Sequence, residues 1–171
     1  GFDPEDVYGL YRSDKELFYK NKEVLKSVNK IADPTFKTGT FENDQLFLEA
    51  LTTNLILEGI FFFSAFLIFL NFGRQNKMPG SREMIQFINR DEDLHVALFV
   101  NIINSIRKEQ PELWTPELQT LISNNIKDAV QMEYEWGVSC VGDGILGLTP
   151  TNLRQYLEFI GDQRATSIGL P

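Results

Sequence analysis

Apolar residues recur along this chain at intervals of three and four rather than two, and the segments they form are punctuated by proline, glycine and capping residues. That pattern predicts an all-α fold. Asp3-Pro4 caps and starts a short helix to about Arg12, and Ser13 or Asp14 starts a second to about Ile31, whose many lysines predict a solvent-facing surface. Asp33 to Thr40 reads as a loop. Asn43 or Asp44 lies near the start of a single very long helix that ends between Gly73 and Asn76, with Met78-Pro79-Gly80 as its stop. A further long helix opens at Ser81 and runs to about Lys108, carrying Met84, Phe87, Ile88, Leu94, Leu98 and Ile102 on one apolar stripe, and Pro111 closes it. Thr115-Pro116-Glu117 sets a cap, a proline in the first turn and an acid at the positive helix end, which predicts a helix from Pro116 to about Cys140. Gly142-Asp143-Gly144 interrupts the chain, and Thr149-Pro150 repeats the start signal for a last helix to about Ser167.

Within the very long helix, Leu55 to Phe72 is almost uninterruptedly apolar, about the shortest length that spans a bilayer. Glu58 lies inside it, and a carboxylate facing lipid costs roughly 2.5–3.5 kcal/mol. The flanks also lack aromatic or basic anchors. The expectation is a helix buried on all sides in protein, with no membrane contact.

The bulk composition narrows the function classes. With 171 residues and 43% hydrophobic content the chain has the size and the apolar surface for one folded domain. A formal charge of -8 opposes a phosphate backbone, so nucleic acid is excluded as a partner. Cys140 is the single cysteine, no signal-peptide pattern opens the sequence, and both features fit a reducing cytoplasm. Gly1 to Asp6 lacks an initiator methionine and reads as a turn into a helix, so an upstream part is expected to have been removed or to sit on another chain.

The chemistry concentrates in Arg90-Asp91-Glu92-Asp93-Leu94-His95. Glu92 and His95, three apart on a helix, share a face and can offer two ligands to one metal; His95 is the only histidine. A charged helix face with a neutral histidine has the same spacing. Glu58 adds weight to the ligand reading, because a carboxylate in so apolar a run must be protonated, hydrogen-bonded or bound to a cation. Helical bundles that hold two metals use one glutamate from each of two helices and one Glu-x-x-His from each of two others. This chain holds half of that set, on two helices joined by a short break and therefore expected to pack antiparallel. Counted from the break, Glu58 is farther away than Glu92 by about one to two turns, an offset that tilt, an early helix end or a local bulge absorbs.

Several runs together carry a resemblance: Leu57-Glu58-Gly59-Ile60-Phe61-Phe62-Phe63, Gly73-Arg74-Gln75-Asn76-Lys77-Met78, Arg90-Asp91-Glu92-x-x-His95, Asp33-Pro34-Thr35-Phe36-Lys37-Thr38-Gly39 and Pro116-Glu117-Leu118. In this order the sequence resembles the small, radical-generating subunit of class I ribonucleotide reductase, over nearly the whole chain. The resemblance covers the second half of that family's ferritin-like helical domain, so a partial bundle over residues 1–171 is expected. It implies that Glu58, Glu92 and His95 are three of six ligands of an oxygen-activating dinuclear centre of iron, manganese or both. Asp91 would hydrogen-bond beside them and help relay an electron and proton, and Phe62, Phe66 and Ile88 would form an apolar wall; ordinary core packing explains any single wall residue nearly as well. The family's first carboxylate, first Glu-x-x-His, radical tyrosine and C-terminal docking tail have no counterpart in this sequence.

The partners implied are a complementary N-terminal small-subunit fragment on a separate chain, the large catalytic subunit, and a second copy of the assembled small subunit. The isolated chain is accordingly expected to expose apolar faces and to be poorly soluble. Arg90 reads as an ion-pair partner of nearby acids, Cys140 as a core residue, Glu133 and Glu135 as a solvated helix face, and Tyr8, Tyr11, Tyr19, Tyr134 and Tyr156 as ordinary, partly buried tyrosines. Three alternatives remain open: a ferritin-like oxidase or oxygenase using the same ligands, a homodimer of two such halves, and a non-catalytic helical scaffold with a protonated Glu58.

Overall fold

A computed structural model describes residues 3–171, so Gly1 and Phe2, the beginning of the expected lead-in turn, lie outside the described residues. Those residues form seven α-helices: α1 (Pro4–Ser13), α2 (Lys15–Ile31), α3 (Phe41–Gly59), α4 (Phe63–Arg74), α5 (Pro79–Glu109), α6 (Pro116–Val141) and α7 (Pro150–Ser167). No strand occurs among the described residues, and Pro111–Leu113 is a single 3₁₀ turn. The starts follow the capping chemistry: Asp3, Asp14, Thr40 and Thr115 each accept a hydrogen bond from a backbone N–H of the first turn. Thr149 and Asn152 close a reciprocal capping box at the head of α7.

Two boundaries differ from the sequence expectation. First, α5 begins at Pro79 rather than Ser81. Proline lacks the N–H that a first helical residue leaves unused, so Pro79 opens α5 instead of only stopping its predecessor. Asn76 and Met78, at φ 57° and 50°, make the tight connection.

Second, the single long helix expected from about Asn43 to Asn76 is two helices, interrupted at Ile60–Phe62. The Ile56 carbonyl accepts from both Ile60 N–H (2.9 Å) and Phe61 N–H (3.3 Å), so the last turn of α3 widens, and Phe63 N–H then turns back to the Ile60 carbonyl at 3.1 Å. Such a local bulge is one of the means by which a helical ladder changes direction.

Together α3 and α4 run antiparallel to α5. Gly73 packs against Arg82 and Gly59 against Val96, and equal numbers of residues separate the two pairs on each side. By length and composition residues 41–74 could cross a membrane, but half of the most apolar stretch is buried within the chain. It behaves as the core element of a helical layer, covered by α2, α5, α6 and α7.

The core lies where α3 and α4 meet α6 and α7, with Leu48, Leu55, Ile60, Ile122, Leu153 and Leu157 fully or almost fully buried. Gly137 of α6 sits where a Cβ would lie 2.8 Å from both the Leu153 side chain and Ser64 Oγ. Gly137→Ala is expected to overpack this contact and lower stability by about 1–3 kcal/mol, measured by urea denaturation; an unchanged midpoint would show that α6 can shift freely away from α4.

Several side chains depart from the sequence reading: Tyr8, Tyr11 and Tyr19 are exposed rather than partly buried, because they lie on the outer faces of α1 and α2. Cys140 is exposed rather than in the core, because it lies on the outer face of the last turn of α6. Glu133 is fully buried rather than solvated, while Glu135 is exposed as expected. Its counter-ion is Lys20 of α2, a lysine expected at the surface and found only 7% exposed.

Candidate metal centre

Glu58 is the penultimate residue of α3, and Glu92 and His95 lie midway along α5. Antiparallel packing brings them together: each offers one ligand atom, and these atoms lie within 4.8 Å of one another. His95 Nδ1 is 2.9 Å from Glu92 Oε2 and 3.5 Å from Glu58 Oε2. Both carboxylates are half-buried, whereas the imidazole is exposed. Burial, reinforced by the neighbouring Glu92 carboxyl, pushes Glu58 above the usual carboxylate range, with His95 opposing. The hydrogen bond to Glu92, followed by the two negative charges, draws His95 upward. Two carboxylates and an imidazole that face one another offer lone pairs toward one shared point, where a divalent cation would supply the opposing charge. Oxygen donors with one imidazole suit iron or manganese, so the residues present fit half of a dinuclear centre.

The surroundings are partly as expected. Phe62 and Phe66 stack with centroids 6.2 Å apart next to the interruption, Phe66 being buried and Phe62 partly open. Ile88 lies one turn before Glu92 on the exposed side of α5. Asp91 is exposed and outside the ligand cluster; its neighbour Arg90 approaches it at 3.5 Å, the ion pair anticipated for that arginine.

Of the α5 stripe only Ile102 packs against the chain's own core. Met84, Phe87, Ile88, Leu94 and Leu98 are all exposed, while Val96 and Ile103 face inward. The ligand cluster therefore sits at the rim of an open apolar face. At low micromolar concentration the isolated chain is expected to bind an apolar dye and to self-associate, as seen by light scattering. A monodisperse monomer that ignores the dye would contradict this.

Three residues beside Glu58 were not singled out as functional from the sequence. Interrupting the helix frees the carbonyls of Gly59 and Phe61 and the N–H of Ser64, which in a continuous helix would bond within it. Arg164 Nε of α7 donates to Gly59 O at 3.1 Å, Lys20 Nζ donates to Phe61 O at 2.8 Å, and Glu133 Oε1 accepts from Ser64 N–H at 2.9 Å. Lys20 and Glu133 also bond each other at 2.5 Å, and the ammonium lies over the Trp136 ring, 4.7 Å from its centroid. Each buried polar group left unpaired would cost about 1–3 kcal/mol, so these contacts decide whether the interruption persists. A signal existed for two of them: Glu133 falls on the buried stripe Ile126, Val130 and Gly137, and Arg164 continues the stripe Leu157 and Ile160.

The sequence matches the model of the family described as "Ribonucleotide reductase, small chain" over residues 3–171. It is 37% identical over 171 residues to the ribonucleoside-diphosphate reductase subunit beta of Chlamydia pneumoniae, covering 99% of this chain and 49% of that one. The corresponding subunit of Halalkalibacterium halodurans is 35% identical over 167 residues, covering 97% and 46%. Among solved structures, a putative class I ribonucleotide reductase from Bacillus halodurans superposes with TM-score 0.87 at 34% identity, covering 97% of this chain and 57% of that one. The ribonucleotide reductase R2 subunit from Clostridium botulinum gives 0.85 at 32% identity, covering 99% and 52%. The chain spans about half the length of the curated relatives it matches.

Proposed function

This chain belongs to the ribonucleotide reductase small-chain family, and from that membership we propose that it supplies one half of the dinuclear metal centre that serves ribonucleotide reduction. The observation that carries the reading is the convergence of Glu58, Glu92 and His95 from two antiparallel elements. The all-α, ferritin-like architecture of the family is what brings such ligands inward.

In this proposal Glu58, Glu92 and His95 hold iron or manganese, and the remaining ligands come from residues outside this sequence that pack on the open face of α5. Such a centre, when bound, activates dioxygen and provides the oxidising equivalent for making deoxyribonucleotides. The chain's own residues do the rest. Glu58 and Glu92 place negative charge at the site, and His95 presents a nitrogen whose orientation its helix fixes. Phe62, Phe66 and Ile88 keep water from one side of the site once the face is covered. Asp91, on the exposed side of α5, accepts a hydrogen bond from a group on the complementary part and thereby helps pass a proton and electron.

The partners that follow are a complementary N-terminal part of the small subunit, the large catalytic subunit and a second copy of the assembled small subunit, in the cytoplasm. The deciding experiment is to purify the chain with whatever accompanies it, then determine subunit masses, metal content and nucleotide reduction with the large subunit added. About two transition metals per assembled bundle and reduction that depends on the large subunit are expected. Oxidation of a small substrate without the large subunit would instead indicate a ferritin-like oxidase, and a metal-free complex after reconstitution would indicate a scaffold.

A further inference from the structure

The interruption at Ile60–Phe62 occurs in a segment with no proline, where a continuous apolar helix would satisfy every backbone group internally. The fold instead recruits two cations and one carboxylate, from α2, α6 and α7, to bond what the interruption exposes. Arg164 makes the arrangement conspicuous: its guanidinium is half-buried, lies over Phe63 at 5.3 Å, and has no carboxylate within salt-bridge distance among the described residues. Its bond is to the carbonyl of Gly59, the residue next to Glu58. Lys20 and Glu133 grip the other side, at Phe61 and Ser64. The turn so held is the one that ends α3 and sets where Glu58 emerges relative to Glu92 and His95.

We propose that Arg164, Lys20 and Glu133 are positioning residues of the metal centre, holding the interrupted helix in the one arrangement that brings Glu58 to Glu92 and His95. The proposal rests on the metal-centre reading above. None of the three touches the ligand atoms. They act through the backbone on either side of Ile60–Phe62, as outer supports of a ligand do when they fix its orientation.

The test uses the complete, metal-free protein titrated with cobalt(II), whose visible absorption reports coordination. Arg164→Met keeps most of the packing stem and removes the donor; it is expected to weaken cobalt binding about 10- to 100-fold and to alter the spectrum. Arg164→Lys, which can still reach a carbonyl, is expected to restore most of both. Wild-type affinity and spectrum in Arg164→Met, or an equal loss in Arg164→Lys, would overturn the proposal. If Arg164→Met fails to fold, the double variant Lys20→Met, Glu133→Leu probes the same interruption from its other side, with the same weakening expected and unchanged binding counting against the idea. Glu92→Ala separates the two levels of inference. Cobalt binding that ignores Glu92→Ala sinks the metal-centre reading and the proposal with it, whereas binding lost in Glu92→Ala but intact in Arg164→Met sinks the positioning role alone.

Discussion

Lys20→Met is expected to lower the stability of the folded protein by about 3–5 kcal/mol, the range for removing one partner of a buried ion pair. The replacement leaves the Glu133 carboxyl fully buried with only the Ser64 N–H opposite one oxygen, and leaves the Phe61 carbonyl unbonded. Burial already raises Glu133 to about 7, with the Lys20 ammonium and Ser64 pulling the other way. Because the folded value lies above the unfolded one, stability that is full below the ordinary carboxyl range is lost as the pH rises to about 7. Without Lys20 the folded value rises further, and the loss continues past that point. The gap between wild type and variant is therefore expected to widen above about pH 7. Urea denaturation followed by the fluorescence of Trp136, which lies against Lys20, reads both effects. The double variant Lys20→Met, Glu133→Leu should recover only part of the loss, since an apolar pair avoids the desolvation of two charges while the Phe61 carbonyl and the Ser64 N–H stay unbonded. A single-variant loss below about 1 kcal/mol, the range of a surface ion pair, would mean that Lys20 and Glu133 are solvated in solution.

The other large effect concerns the proposed metal ligands. Glu92→Gln and His95→Ala should each weaken iron or manganese binding by more than the roughly 100-fold that loss of a supporting residue costs, and should reduce nucleotide reduction to background. In the metal-free protein Glu92→Gln is expected to leave the melting temperature unchanged or to raise it, because Glu58 no longer faces a second carboxylate. That combination marks residues placed for a cation and not for the fold. Metal content unaffected by either replacement would remove Glu92 and His95 from the site. Asp91→Asn, outside the cluster, should keep the metal and lower turnover.

What was readable in the sequence follows the range of the forces involved. Thr115-Pro116 and Thr149-Pro150 announce α6 and α7 because capping is decided within one turn. Glu58, Glu92 and His95 were legible because a carboxylate in an apolar run and a Glu-x-x-His are local anomalies, and the structure brings all three together. The Lys20–Glu133 pair was not, since its members are 113 residues apart and each looks ordinary among its neighbours. The interruption after Gly59 escaped for a related reason: its bonds come from side chains elsewhere in the chain, so apolar periodicity alone reads straight through it. The α5 stripe is legible as apolar, and the exposure of most of it agrees with the expected open apolar faces, but which helix face stays open is not legible because periodicity identifies a face and not what lies opposite.

The bonds around the interruption also impose an order in time. Phe61 reaches back 41 residues to Lys20, Ser64 reaches forward 69 to Glu133, and Gly59 reaches forward 105 to Arg164. As a ribosome extends the chain, Glu58, Glu92 and His95 are all made well before α7, yet the turn beside Glu58 has its last support only after Arg164 has emerged. In a nascent chain the three proposed ligands would therefore lack their final arrangement, and on this proposal capture of a cation would wait until α7 has docked.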